Sequence, residues 1–316
     1  MRTIRTLSGI ALFGLAACAS AQEFPTHTIR LISGVTPGSA SDTMARILAE
    51  RMQKDLGQPV IVENKLGAGG LIGAKYVASS DPDGHTIMMY TSAFTVSTLI
   101  SPGLDPKELR PVATVATIPT IMITPVGRYK TAADFVAAAK ANPGKLACAT
   151  AGVGSATHMA LERFRIAAGF QVLNVHTKGA NEALSEVLGG RADCYFALVF
   201  QAQKQRDAGK VTALAASAPK RSSLMPDVPT TVELGYPDSD YNFWIGTLVP
   251  VKTPDAIVKR LHDEIDALVH SPDIAERIRT LGADPLTMSI EEFDAMIQRE
   301  LAANAQLVKT ANIKAE

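Results

Sequence analysis

Residues 28–42, Thr28-Ile29-Arg30-Leu31-Ile32-Ser33-Gly34-Val35-Thr36-Pro37-Gly38-Ser39-Ala40-Ser41-Asp42, pass from a β-branched run through a Pro-Gly turn into a helix start. Residues 146–158, Leu146-Ala147-Cys148-Ala149-Thr150-Ala151-Gly152-Val153-Gly154-Ser155-Ala156-Thr157-His158, repeat that passage further along the chain. Each ends a strand on Gly-Ser-Ala. Met44, Ile47, Leu48 and Met52 then recur at helical spacing, with Ser39 or Ser41 as N-cap. Two such openings predict two α/β rounds, each a mainly parallel sheet flanked by helices, because strand–helix alternation needs crossover connections.

Reading outward, the first round continues with strands at Val60-Ile61-Val62-Glu63 and at 85–90, separated by Gly67-Ala68-Gly69-Gly70 opening a helix. The second round follows Asn142-Pro143-Gly144. It has strands at 146–150, 172–176 and 194–199, with helices at 155–168 and 180–188, the latter ended by Gly189-Gly190. The change between rounds falls near 120–128. The C-terminal third is helical: Thr253-Pro254 and Ser271-Pro272 mark starts, and Ser289 with Glu292 makes a capping box.

The 316 residues carry 31 basic and 31 acidic side chains, so no electrostatic footprint for nucleic acid is present. No apolar stretch long enough to span a bilayer occurs after residue 21. Residues 1–21 read as an export signal: Arg2 and Arg5, an apolar run from Leu7 to Ala17, and Ala19-Ser20-Ala21 as a cleavage site. Leu15-Ala16-Ala17-Cys18 also resembles a lipobox, so ordinary cleavage and lipidation at Cys18 both stand, and either exports the chain to the periplasm. Cys148 and Cys194 lie in predicted strands and are expected as buried thiols, although an oxidising compartment permits a disulfide. No cysteine spacing suits a metal, and neither metal nor cofactor is expected.

The paired loops carry the functional expectation. Helix N-termini present unsatisfied N–H groups that hold anions, and ligands of open α/β sheets sit beyond the carboxyl ends of the strands. One such loop alone would be a cap. Two, facing each other across a cleft, could hold a small acid.

The chain resembles the Bug-type substrate-binding proteins of tripartite tricarboxylate transporters. The matching segments include Phe24-Pro25, Pro37-Gly38 with Asp42, 56–64, Gly67-Ala68-Gly69-Gly70 with Ile72-Gly73-Ala74, and Pro82-Asp83-Gly84-His85-Thr86. They continue through Asn142-Pro143-Gly144-Lys145-Leu146, Gly154-Ser155 with His158, Lys178-Gly179, Lys220-Arg221-Ser222 and Pro226-Asp227-Val228-Pro229-Thr230. The resemblance implies a two-domain, type II-like periplasmic solute-binding fold with the ligand cleft between the domains. Residues 24–124 plus 246–316 would form one domain and 125–245 the other. The implied partners are a small organic acid and membrane transporter subunits, with the receptor a monomer. By position, ligand-facing groups would come from Thr36, Gly38, Ser39 and Asp42, from Ser92 and Ala93, from Gly154, Ser155 and His158, and from Thr177, Lys178 and Gly179.

Departures from the family pattern lie at Ser39, at Thr177 and in the apolar run 196–200, which suggests a pocket admitting an aromatic or apolar ligand body. His158 is read either as a contact or as a helix-start residue, and Lys178 either as a carboxylate partner or as solvent-facing. Asp42 is read as a cap or loop tie, since an acid would repel an anion. Trp244 lines the hinge or fills core. A hydrolase is disfavoured because Ser155 and His158 lack a nucleophile elbow and a third partner. A receptor feeding a signalling protein would bind in the same way.

Overall fold

The computed structural model describes residues 24–101, 103–311 and 313. The predicted export signal, with Arg2, Arg5 and Cys18, lies outside the described residues.

The first round forms β1 (Ile29–Ser33), α1 (Ala40–Leu56), β2 (Val60–Asn64), α2 (Leu71–Ala78), β3 (Thr86–Thr91), α3 (Phe94–Ile100) and β4 (Leu109–Thr117). The second forms β5 (Thr120–Pro125), α4 (Ala132–Ala141), β6 (Ala147–Thr150), α5 (Ala156–Ala168), β7 (Leu173–His176), α6 (Ala180–Leu188), β8 (Cys194–Leu198), α7 (Val199–Asp207) and β9 (Val211–Ser217). The chain then returns through β10 (Trp244–Pro250), α8 (Asp255–His270), α9 (Pro272–Thr280), β11 (Asp284–Pro285) and α10 (Ile290–Thr310). Ser39 and Ser155 cap α1 and α5, and Ser289 with Glu292 closes the predicted capping box on α10.

Two sheets result, in the orders β11-β4-β10-β3-β1-β2 and β7-β6-β8-β5-β9. Apart from β11 at the edge of the first, each runs second strand, first strand, third strand, crossing strand, fourth strand, so the two rounds are topological copies. As expected, most strands of each sheet run the same way: β2, β1, β3 and β4 in the first, and β7, β6, β8 and β9 in the second. β2-β1-β3 and β7-β6-β8 pair in parallel, but β10 and β5 enter antiparallel to both their neighbours. The physical reason is that each crossing strand arrives directly from the other sheet, with no crossover helix to turn it parallel.

The chain crosses at Ile118-Pro119 and returns at Asn242-Phe243, where Ile118 N donates to Phe243 O at 2.9 Å. Thr120–Thr124, expected in the first unit, therefore pair in the second sheet, whereas Trp244 and Ile245, expected in the second, begin β10 of the first. These segments are apolar and would suit either sheet, so pairing alone assigns them. Of the C-terminal helices, α8 packs on α1 and β4 while α10 packs on α3 and β4.

The cysteine expectation is also corrected. Cys148 and Cys194 are register partners on the parallel neighbours β6 and β8, with Cα atoms 4.6 Å apart, and they form a disulfide. Their placement on directly opposed positions supplies the geometry that strand-embedded cysteines usually lack.

Candidate functional site

The paired loops prove to be structural duplicates. In the first, Gly38 takes φ +80°, Gly38 N donates to Asp42 Oδ2 at 2.9 Å, and Asp42 N donates to Ser39 Oγ at 3.3 Å. In the second, Gly154 takes φ +72°, Gly154 N donates to His158 Nδ1 at 3.1 Å, and His158 N donates to Ser155 Oγ at 3.3 Å. Each loop is thus a left-handed glycine, a serine cap, and a side chain four residues after the glycine that takes up its N–H. Chemistry differs at that last position, one carboxylate and one imidazole, but the hydrogen-bonding role is shared.

That role explains both electrostatic perturbations. Burial alone would raise the Asp42 carboxyl, yet hydrogen bonds from Arg46, Asn64 and Gly38 outweigh it and hold the group below the usual range. Burial pushes the His158 imidazole down to about 4, with Glu162 opposing and His176 assisting. His158 is therefore neutral at neutral pH, as an acceptor at Nδ1 must be. Both side chains are buried behind their loops.

Between the sheets lies a cavity of about 440 Å³. One wall is Ala68 and Gly69, ahead of α2, together with Ala93, Ser97, Ile100 and Ser101 on or beside α3. The facing wall is Gly152, Val153, Gly154 and Ser155 of the second duplicated loop. No lining side chain is charged; hydroxyls, glycines and short aliphatic groups compose the surface. Such walls offer backbone N–H groups and hydroxyls to an oxyanion and contact surface to an apolar body.

The predicted residues distribute unevenly around this cavity. Ala93, Gly154 and Ser155 line it. Thr36 and Gly38 are exposed and Ser39 half-buried on the β1–α1 loop, away from the wall as it stands. Asp42, Ser92 and His158 are buried behind walls; Ser92 Oγ accepts from Tyr241 Oη at 3.0 Å. Thr177 lies beside Gly152, and its hydroxyl bonds Thr150 O and Gly179 O, both at 2.9 Å. Lys178 is exposed, and its backbone N–H, not its ammonium, is engaged, donating to Glu182 Oε2 at 2.9 Å. The apolar run 196–200 does not contribute; Ile100 and Val153 supply the apolar character instead.

Sequence reasoning missed Gly69, Ser97 and Ile100. Gly67-Ala68-Gly69-Gly70, expected to open a helix, does so through a tight turn with positive φ at all four residues. Its conformation has a second cause. A Cβ on Gly69 would lie 2.6 Å from Ser97 Oγ, and one on Gly70 would lie 2.2 Å from the Tyr90 ring. The glycines thus let the turn approach α3 and β3, which turns a local motif into a cavity wall. The helix α3 was hidden because its residues, rich in Thr, Val and Ile, favour strands locally.

Two other features are distinct from this cavity. A groove of about 470 Å³ between α5 and α10, lined by Arg163, Asp240 and Leu307 among others, is not formed by strand-end loops. His27, Asp83 and His85 gather their ligand atoms near the other end of β3. His85 Nε2 accepts from Thr26 N at 3.0 Å, so Nδ1 carries the ring proton and offers no lone pair to a metal.

Residues 44–313 match the family model described as tripartite tricarboxylate transporter family receptor. Protein BugT of Bordetella pertussis is 31% identical over 324 residues, covering 99% of this chain and 99% of that protein. An R. palustris protein solved with adipate superposes with a TM-score of 0.78 at 26% identity, covering 92% of this chain and 99% of that one. MatC from Rhodopseudomonas palustris with bound malate gives a TM-score of 0.72 at 28% identity, covering 90% and 100%.

Proposed function

Because the chain belongs to the tripartite tricarboxylate transporter receptor family, we propose that it is an extracytoplasmic receptor that captures a small carboxylate between its two sheets and delivers it to a membrane transporter. The observation that carries this reading is the joint construction of the cavity: strand-end loops and helix starts from both sheets supply its walls, and none of the lining side chains carries charge. A carboxylate held by neutral donors needs no counter-ion, and its hydrocarbon body would rest on Ile100 and Val153. Relatives solved with adipate and malate fit that chemistry.

The exposed β1–α1 loop, with Thr36, Gly38 and Ser39, is the duplicate of the second-unit loop that already lines the cavity. We assign it the same role when the two units close. Asp42 and His158 shape the loops without touching the ligand, and the backbone around Thr177, Lys178 and Gly179 flanks the entrance. Export follows from residues 1–21, and among the described residues no helix is long and apolar enough to cross a membrane.

A thermal-shift panel of di- and tricarboxylates, amino acids, aromatic acids, amines and neutral solutes tests the proposal. A ligand at 100 times its dissociation constant stabilises a protein by about 2.7 kcal/mol, which is several degrees here. Stabilisation by an acid class supports the receptor. If no acid stabilises the protein while an amine or neutral solute does, the carboxylate reading fails.

A further inference from the structure

We propose that Glu300 is a positioning residue for the ligand cavity: its carboxyl and the Ser92 carbonyl compete for the single proton of the Thr95 hydroxyl, so the charge on Glu300 sets the first turn of α3 and the cavity wall that follows. The coupling to ligand rests on the cavity being the binding site; the competition itself does not.

Glu300 sits on α10, 8% exposed, where α10 covers α3 and the start of β10. Trp244 Nε1 donates to its Oε2 at 2.9 Å. Thr95 Oγ1 lies 2.8 Å from Ser92 O and 3.3 Å from Glu300 Oε2, and it accepts from Asn304 Nδ2 at 2.9 Å. A hydroxyl has one proton to give. When Thr95 gives it to Ser92 O, the Glu300 contact can be a hydrogen bond only if the carboxyl itself carries a proton and donates. When Glu300 is ionised it is an acceptor only, and it draws the Thr95 proton away from Ser92 O.

Ser92 O is the last carbonyl before Ala93, and Ala93 and Ser97 line the cavity. The opposite face of α3 is held elsewhere: Val96 is buried in the apolar cluster of the second sheet, and Ile100 Cδ1 faces Gly154 across the cleft. A change at Ser92 therefore alters how the helix sits between two units. The titratable and charged groups facing Glu300 are Arg163 of α5, which favours the ionised form, Asp240, which opposes it, and the buried Tyr241 hydroxyl, which donates to Ser92 Oγ and is held protonated by burial and by Glu300. Burial exceeds both charges and brings the group up to about 7, so both charge states are populated near neutrality.

The chain has one tryptophan, Trp244, and its indole donates to the titrating carboxyl. Emission of the ligand-free protein is followed from about pH 5.5 to about pH 8.5, beside Glu300→Gln and Thr95→Val. The expected result is one transition near 7 in the parent and in Thr95→Val, and none in Glu300→Gln. Amide hydrogen exchange at a single alkaline pH then reads the α3 first turn, which is expected to exchange several-fold faster in the parent than in Glu300→Gln. Adipate affinity, measured by calorimetry, is expected to weaken several-fold from pH 6 to pH 8 in the parent and to stay level in both variants. A flat parent emission profile, or equal α3 exchange in parent and Glu300→Gln, overturns the proposal. Loss of adipate binding at every pH, with emission and exchange as expected, overturns adipate as cargo and leaves the Glu300 competition supported.

Discussion

Replacing Asp42 by alanine separates a loop tie from a ligand contact. The carboxylate is 1% exposed and gathers donors from three places: Gly38 N at 2.9 Å, Asn64 Nδ2 at 2.7 Å and Arg46 Nε at 3.0 Å. Hydrogen bonds to a charged acceptor contribute roughly 1.5–3 kcal/mol each. Arg46 is half exposed and recovers water, so its share is discounted. Gly38 lies on an exposed loop and recovers part of its loss in the same way. The Asn64 amide, which also holds Val35 O at 3.1 Å, keeps most of its penalty. The net destabilisation is about 3 kcal/mol, a fall of roughly 4–5 °C in Tm for a chain of this size. The pH dependence has a definite sign. The folded-state value lies below the ordinary 3.8, so the stabilisation is present above about 3.8 and is lost as pH falls through the depressed value. Asp42→Ala should therefore narrow its deficit below about pH 4. Calorimetric melts at neutral and acidic pH, with carboxylate titrations on the same samples, measure both quantities. An unchanged Tm accompanied by a tenfold or greater loss of affinity would refute the loop-tie reasoning and return Asp42 to the ligand.

Glu300 gives the opposite pH slope: its folded value of about 7 exceeds the ordinary 4.5, so its stabilisation is complete below about 4.5 and declines by about 3 kcal/mol as pH rises to about 7. Denaturant titrations across that window should show the decline in the parent and its absence in Glu300→Gln. Cys148→Ser with Cys194→Ser opens a link spanning 46 residues and should destabilise by up to about 4 kcal/mol, with reduction of the parent reproducing the loss. Gly69→Ala imposes φ +64° on a Cβ that also meets Ser97 Oγ, costing about 1–2 kcal/mol in backbone strain. It should also weaken carboxylate binding by displacing α3; unaltered affinity would remove the β2–α2 turn from the site. Lys178→Ala should change affinity less than twofold, because the exposed ammonium is not part of the wall, and a tenfold loss in calorimetry would reverse that assignment.

Local features were legible because local physics produces them. The strand runs at 28–32 and 60–63, the serine caps on α1 and α5, the capping box on α10 and the duplicated Gly-Ser loops follow from side-chain shape and hydrogen-bonding capacity within a few residues. So does the reading of Asp42 as a tie, since a carboxylate at a donor-rich helix start is attracted to those N–H groups. The helix α3 was not legible, because Thr95, Val96, Thr98 and Ile100 favour extended backbone and only packing against α10 and the second unit makes them helical. Nor was the position of Thr120–Thr124, whose apolar pattern would serve in either sheet.

The sequence by itself determined that two α/β rounds exist, that each opens on a glycine–serine helix start, and that the whole chain follows one receptor family. Tertiary structure alone decided that Cys148 opposes Cys194, that the crossing strands run antiparallel, and that Gly69, Ser97, Ile100 and Val153 share a cavity. It alone placed Glu300, 56 residues from Trp244 and 205 from Thr95, against both. The division has a physical cause. Caps, turns and periodicity are interactions between near neighbours, whereas a cavity wall, a disulfide and a buried carboxyl depend on which distant surfaces exclude water together.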